Sequence, residues 1–137
     1  MIGILIVTHR RLGDALIEAA EFILGTRPEA LVSVSIDLNE SADALRGKIS
    51  DGIKKVKSEH GVLILTDMFG GTPSNLSYSF LEEGHIEVIS GVNLPMLIQV
   101  ASTRDKMNLE ELAVKLEEFG KKSISLASRI LKGNKRG

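Results

Sequence analysis

Apolar residues fall into four short runs, over residues 2–7, 31–38, 61–66 and 86–90, each bounded by Gly, Pro or polar residues. Runs of this length, rich in Val, Ile and Leu, predict strands. Residues 31–38 alternate, with Leu31 and Ser33 set against Val32, Val34 and Ile36, which suits a strand packed unequally on its two faces. Between the runs the period changes to that of a helix. Leu16, Ile17, Ala20, Ile23 and Leu24 make one stripe over 14–24, and Gly25 reads as the residue that ends it. Pro28 sits in the turn that follows. Ser41, with Asn39 and Glu40 before it, supplies a cap for a helix over 41–57 with Ala44, Leu45, Ile49, Ile53 and Val56 inward. Further helices are predicted over 73–83, 96–102 and 109–119, the last with Leu109, Leu112, Leu116 and Phe119 on one face. No internal repeat, linker or low-complexity tract interrupts the chain. One domain over 1–132 is expected, with 133–137 as a polar, frayed tail.

Strands alternating with helices imply a parallel sheet covered on both faces, an α/β class. Right-handed crossovers leave few topologies. The flavodoxin-like, doubly wound one has strand order 2-1-3-4 and makes the first and third strands neighbours where the winding reverses. Ligands bind there, at the carboxyl ends of the strands. His9 follows the first run and Asp67 follows the third, so this order brings them into one crevice.

Composition narrows the function. The chain has 137 residues, 43% apolar and 26% charged, and it buries roughly two-thirds of its unfolded surface on folding. That excludes a disordered or membrane-spanning chain, and a soluble cytoplasmic protein is expected. A net charge of −1 argues against nucleic acid held by bulk electrostatics. The absence of cysteine removes disulfide and thiolate chemistry. The apolar start is short, lacks a basic region before it and runs into a polar turn, so it reads as a strand and not a signal peptide.

The stretch Asp67-Met68-Phe69-Gly70-Gly71-Thr72-Pro73-Ser74-Asn75 is a strand-to-helix turn. Thr72 suits a helix cap and Pro73 the first helical position. A hydroxyl cap after a Gly-Gly approach is a ready anion site. An acid beside such a site repels the anion unless it serves another group, and that group is His9. A carboxylate on Nδ1 fixes the ring tautomer and leaves Nε2 free as a nucleophile. A phosphoryl group held by the N–H groups at Gly71 and Thr72 is the matching target, since its transfer needs mainly positioning and charge stabilisation. A lone His after a strand is more often incidental. The convergence of His9, Asp67 and the Gly-Gly-Thr-Pro turn makes the functional reading the stronger one here.

Other candidates are weaker. His60 and His85 lie in polar turns and read as solvated. Glu82-Glu83 and Glu117-Glu118 read as exposed helix faces, and Met96 and Met107 as core. Arg10 and Arg11 could be solvated or could contact a phosphate or a partner. No metal-ligand spacing and no nucleotide-binding glycine motif is present, so no metal or cofactor is expected.

The runs Ile4-Leu5-Ile6-Val7-Thr8-His9, Gly61 to Asn75 and Ile89-Ser90-Gly91-Val92-Asn93-Leu94-Pro95-Met96 together resemble the IIA domain of the mannose family of the sugar phosphotransferase system. The resemblance covers nearly the whole chain, in order. It implies a flavodoxin-like fold, a homodimer and a phosphotransferase that works through a phosphohistidine. The histidine matching His9 accepts phosphoryl at Nε2 from the phosphocarrier protein HPr and passes it to a IIB protein. The acid matching Asp67 orients that histidine, and the hydroxyl residue at Thr72 contacts the phosphoryl group beside Gly71. Thr8, Phe69, Gly70 and Asn93 border the site. The Arg10-Arg11 pair departs from the family pattern, where a small or uncharged residue is more familiar. The chain ends near Arg136 with no room for a fused IIB domain, so a separate subunit, or a partner domain cut away, is expected. Residues 121–128 fit a strand by the alternation of Ile124 and Leu126 and a helix by Ile124, Ala127, Ile130 and Leu131. The resemblance suggests an added antiparallel edge strand, exchanged between protomers.

Three rivals use the same residues. A response-regulator receiver domain would carry phosphate on Asp67 but needs acids where Thr8 and His9 stand. A phosphocarrier subunit of dihydroxyacetone kinase has a similar early His. A regulatory domain that senses phosphorylation without serving sugar transport would use the same His9.

Overall fold

The strand Gly3–His9 (β1) is buried along most of its length and has a parallel neighbour on each side. The computed structural model describes residues 1–136. In chain order β1 is followed by α1 (Leu12–Leu24), β2 (Leu31–Ile36), α2 (Ala42–Val56), β3 (Val62–Thr66) and α3 (Thr72–Tyr78). Then come β4 (Ile86–Ser90), α4 (Leu94–Thr103), α5 (Leu109–Lys122) and α6 (Ala127–Arg136). The four strands are all parallel in the order β2-β1-β3-β4, the doubly wound order expected from the sequence.

Alternation along β1 and β3 divides the core in two. Ile4, Ile6, Leu63 and Leu65 face α1, α4 and α5, where they meet Ile17, Ala20, Leu97, Val100, Leu112 and Leu116. Leu5, Val7 and Ile64 face the other way, onto Leu45, Ile49 and Ile53 of α2 and Leu76 of α3. Burial on both faces explains why these strands read as continuous apolar runs. Gly25 closes α1 in a left-handed conformation, φ 78°, and Ser41 caps α2 by accepting the Ala44 N–H at 3.1 Å.

Arg104 was not singled out in the sequence, yet it is 3% exposed. Its Nη1 donates to the carbonyls of Ala30 (3.2 Å) and Ile2 (3.4 Å), and Nη2 donates to that of Glu29. Burial lowers the pKa of the guanidinium, and Asp105 and Glu29 partly offset this. The side chain thus staples the end of α4 to the start of β1 and to the α1–β2 turn.

The structure departs from the expectations at the end of α3 and along the C-terminal segment. The helix predicted over 73–83 stops at Tyr78. The N–H groups of Ser79, Phe80 and Leu81 bond three residues back, tightening the last turn, and the Glu82 N–H pairs with the Ile86 carbonyl. Glu82 and Glu83 therefore lie in a turn and not on a helix face. The C-terminal segment forms no strand: α5 runs to Lys122, residues 124–126 are irregular, and α6 is helical to Arg136. From Ala127 the helical period of Ala127, Ile130 and Leu131 prevails, while Ile124 and Leu126 of the two-residue alternation lie in the irregular stretch. The backbone of the supposed frayed tail is helical as far as Arg136, while Gly137 lies outside the described residues.

Candidate functional site

β1 ends at His9 and β3 ends one residue before Asp67, on adjacent parallel strands. The exit from β1 is held locally. Thr8 is fully buried, and its Oγ1 accepts the Gly13 N–H at 2.9 Å, tying the first turn of α1 to the strand end. Arg10 turns the chain with φ 50°, and its N–H reaches the Ile36 carbonyl at 3.0 Å. Its side chain and that of Arg11 are exposed, and Arg11 pairs only loosely with Asp14 at 3.9 Å.

Oδ2 of Asp67 lies 2.8 Å from Nδ1 of His9 and 2.9 Å from the His9 backbone N–H. Oδ1 takes the Met68 N–H at 3.0 Å. An ionised carboxylate only accepts, so the ring proton sits on Nδ1 and the Nε2 lone pair is free. The Asp67 side chain is 9% exposed and that of His9 is 36% exposed. The acid is sheltered while the ring edge meets solvent.

The Gly-Gly turn closes against the ring. A Cβ on Gly71 would stand 2.9 Å from His9 Cε1 and 3.6 Å from Nε2, too close for any side chain. The position has φ −86°, so glycine is needed there for space and not for its conformational range. Gly70 is the reverse case: its φ is 84°, with nothing near a Cβ. The expected cap is displaced by one residue. Gly71 is the N-cap of α3, Thr72 is the first helical residue, and no side chain caps the turn. The N–H groups of Gly71 and Thr72 have no acceptor within the described residues. Ser74, not Thr72, bonds the Gly71 carbonyl, at 3.1 Å.

Phe69 lies in this turn and is 77% exposed. Asn93 has its side chain engaged elsewhere, accepting the Met96 N–H as cap of α4 and donating to Ser123 Oγ at 3.0 Å. It shares no hydrogen bond with His9 or Asp67. His60 and His85 are exposed, Met96 is buried, and Met107 packs against the core.

Sequence reading missed a chain of hydroxyls behind the turn. Thr66 Oγ1 donates to Ser90 Oγ at 2.8 Å, and Ser90 Oγ lies 2.9 Å from Tyr78 Oη. Only the pairing of Thr66 with Ser90 across β3 and β4 brings these residues together.

The same order of strand ends and turn marks a known family. Residues 3–117 match the family model EIIA-man, described as "PTS system fructose IIA component". This chain belongs to that family of IIA components of the sugar phosphotransferase system. The fructose-specific EIIA component of Bacillus subtilis is 34% identical over 132 residues, covering 96% of this chain and 90% of that one. The mannose-specific EIIAB component of Escherichia coli K12 is 34% identical over 125 residues, which are 90% of this chain but 38% of that one. Among solved structures, a phosphotransferase system component EIIA from Streptococcus agalactiae superposes with TM-score 0.83 at 28% identity, covering 94% of this chain and 99% of that one. No helix of the described residues is long and apolar enough to cross a membrane.

Proposed function

We propose that this IIA component carries a phosphoryl group on Nε2 of His9, taking it from the phosphocarrier HPr and giving it to a IIB protein. The observation that carries the reading is the 2.8 Å contact between Nδ1 and the Asp67 carboxylate, which leaves Nε2 as the free lone pair. That lone pair attacks phosphorus, and the bond from phosphorus to the donor breaks with its electron pair leaving on the donor. The proton stays on Nδ1. The ring becomes cationic, and the Asp67 carboxylate balances that charge. The unpaired N–H groups of Gly71 and Thr72, with the Thr72 hydroxyl, receive the phosphoryl oxygens. A nucleophile on the IIB protein then repeats the attack in the opposite sense.

The relatives named for fructose and for mannose are equally similar, at 34%. This fits a component that hands on phosphoryl without touching the sugar. We assign residues 1–132 to a single cytoplasmic IIA domain that works as a homodimer, Phe69 and Gly70 lying on the partner-facing rim and Thr8 supporting it from within.

The test is incubation with phosphoenolpyruvate, enzyme I and HPr, followed by intact-mass measurement. One phosphoryl group is expected, labile in acid and stable in alkali. His9→Ala should gain none, and uptake by that variant would overturn the reading.

A further inference from the structure

We infer that Tyr78, Ser90 and Thr66 form a brace that positions Asp67 and Phe69 for phosphoryl transfer. The inference rests on the function proposed for His9. Thr66 is fully buried and immediately precedes Asp67. Its hydroxyl donates to Ser90 Oγ at 2.8 Å, and Ser90 in turn meets Tyr78 Oη at 2.9 Å. The Thr66 carbonyl also accepts the N–H groups of Gly91 and Val92, both at 2.9 Å. The end of β3 is therefore fixed to the end of β4 through side chain and backbone together.

The turn that holds Asp67 and Gly71 leaves β3 right after Thr66 and enters α3, whose last residue is Tyr78. The hydroxyl chain ties the strand before the turn to the helix after it. Within the turn, Phe69 rests on the Tyr78 ring, with centroids 6.3 Å apart and planes tilted by 46°. Phe69 is 77% exposed, and among the described residues Tyr78 is its one aromatic neighbour. Tyr78 thus has two separable parts. Its hydroxyl completes a chain that ends beside Asp67, and its ring holds an exposed aromatic on the turn that closes over His9. Linked hydroxyls polarise one another and act as a unit, so breaking one link loosens the rest. A carboxylate displaced by a fraction of an ångström no longer holds Nδ1, and such misplacement lowers rate without abolishing binding.

The experiment uses the full chain and two readouts. Tyr78→Phe removes the hydroxyl and keeps the ring, Ser90→Ala cuts the chain at its centre, and Tyr78→Leu removes both parts. The first two should each lower the transfer rate at saturating phospho-HPr about fivefold with KM unchanged. Their combination should lower it no further than either alone, because both break one chain. Tyr78→Leu should in addition raise KM severalfold, through loss of support for Phe69. Ser90→Thr, which keeps the hydroxyl, should transfer at the wild-type rate. The second readout needs no phosphoryl donor: the ring ¹⁵N shifts of His9 report the share of the Nδ1–H tautomer, which should fall in Tyr78→Phe and Ser90→Ala. Wild-type rates together with wild-type ¹⁵N shifts in those variants would overturn the brace. If the wild-type chain accepts no phosphoryl, the function proposed for His9 fails, and the ¹⁵N shifts alone decide whether the brace holds Asp67.

Discussion

Oδ2 of Asp67 accepts both the backbone N–H and the ring Nδ1 of His9, at 2.9 and 2.8 Å. Sharing one oxygen locks the ring to its own strand end, because the carboxylate cannot follow the ring without releasing the backbone. Asp67→Asn keeps an oxygen that can accept one of the two bonds but loses the charge that balances a cationic ring. Transfer from phospho-HPr is expected to slow about 10²-fold, with thermal stability little changed. Rapid-quench measurement decides it: a rate within twofold of wild type would remove Asp67 from the mechanism.

The two glycines of the turn should fail in different ways. Gly71→Ala puts a methyl 2.9 Å from His9 Cε1 at a φ of −86° that alanine accepts, so the cost falls on the ring. We expect transfer to drop at least tenfold with a small change in melting temperature. Gly70→Ala meets no atom but holds a φ of 84°, so it should cost about 1 kcal/mol of stability and leave the His9 geometry intact. Thermal melts and transfer rates on the same two proteins test the contrast, and identical behaviour would refute it.

Much of this was legible in the sequence because it depends on local pattern. Four apolar runs separated by helical periods define the strand order, and the order brings His9 to Asp67. What escaped depends on contacts distant in the chain. Thr66, Ser90 and Tyr78 are ordinary residues until β3 and β4 pair in register. Arg104, ending an apolar helix, reads as a solvated cation, and its carbonyl partners Ile2, Glu29 and Ala30 lie more than seventy residues away. The early end of α3 was hidden for another reason. Its stretch has helical periodicity, but the Ser77 and Ser79 hydroxyls bond the carbonyls of Pro73 and Leu76 at 2.6 Å, competing with the backbone ladder as the helix ends.

Arg104 gives a prediction about stability alone. Replacing it with Leu fills part of the space but leaves the carbonyls of Ile2, Glu29 and Ala30 without their guanidinium donor. Loss of a buried charged donor to these three carbonyls should cost about 2–3 kcal/mol, read as a lower urea midpoint. Burial lowers this group's pKa, so folding opposes the charged form and, by sign, that cost fades only as pH rises towards the folded value. That value lies well above neutrality for a guanidinium, so the Arg104→Leu difference should stay constant between about pH 6 and 8. A difference that vanishes within that window would refute the staple.

The last prediction concerns assembly. Among the described residues the outer edge of β4 has no neighbouring strand beyond the single Glu82–Ile86 bridge. A groove of about 340 Å³ runs along it, with Phe69, Tyr78, Val88, Ile89, Ala113 and Val114 on its walls beside Glu87, Ser90 and Glu117. An open strand edge flanked by exposed apolar side chains is a liability for a chain that stays alone. The C-terminal segment offers apolar side chains with no cover of their own: Ile124 is 82% exposed, Leu126 56%, Ile130 48% and Leu131 61%. A second protomer that seats this segment in the groove buries both surfaces at once, whether the segment keeps its helix or extends along β4. Truncation after Ser123 keeps the bond from Asn93 to Ser123, and residues 124–132, which it removes, are all exposed, so the fold should survive while the dimer becomes a monomer. Val114→Lys, on the groove wall at 54% exposure, should weaken the dimer in the full-length chain. Sedimentation velocity at micromolar concentration separates the cases. A full-length chain that sediments as a monomer, indistinguishable from the truncated one, would sink the dimer and leave phosphoryl transfer at His9 untouched.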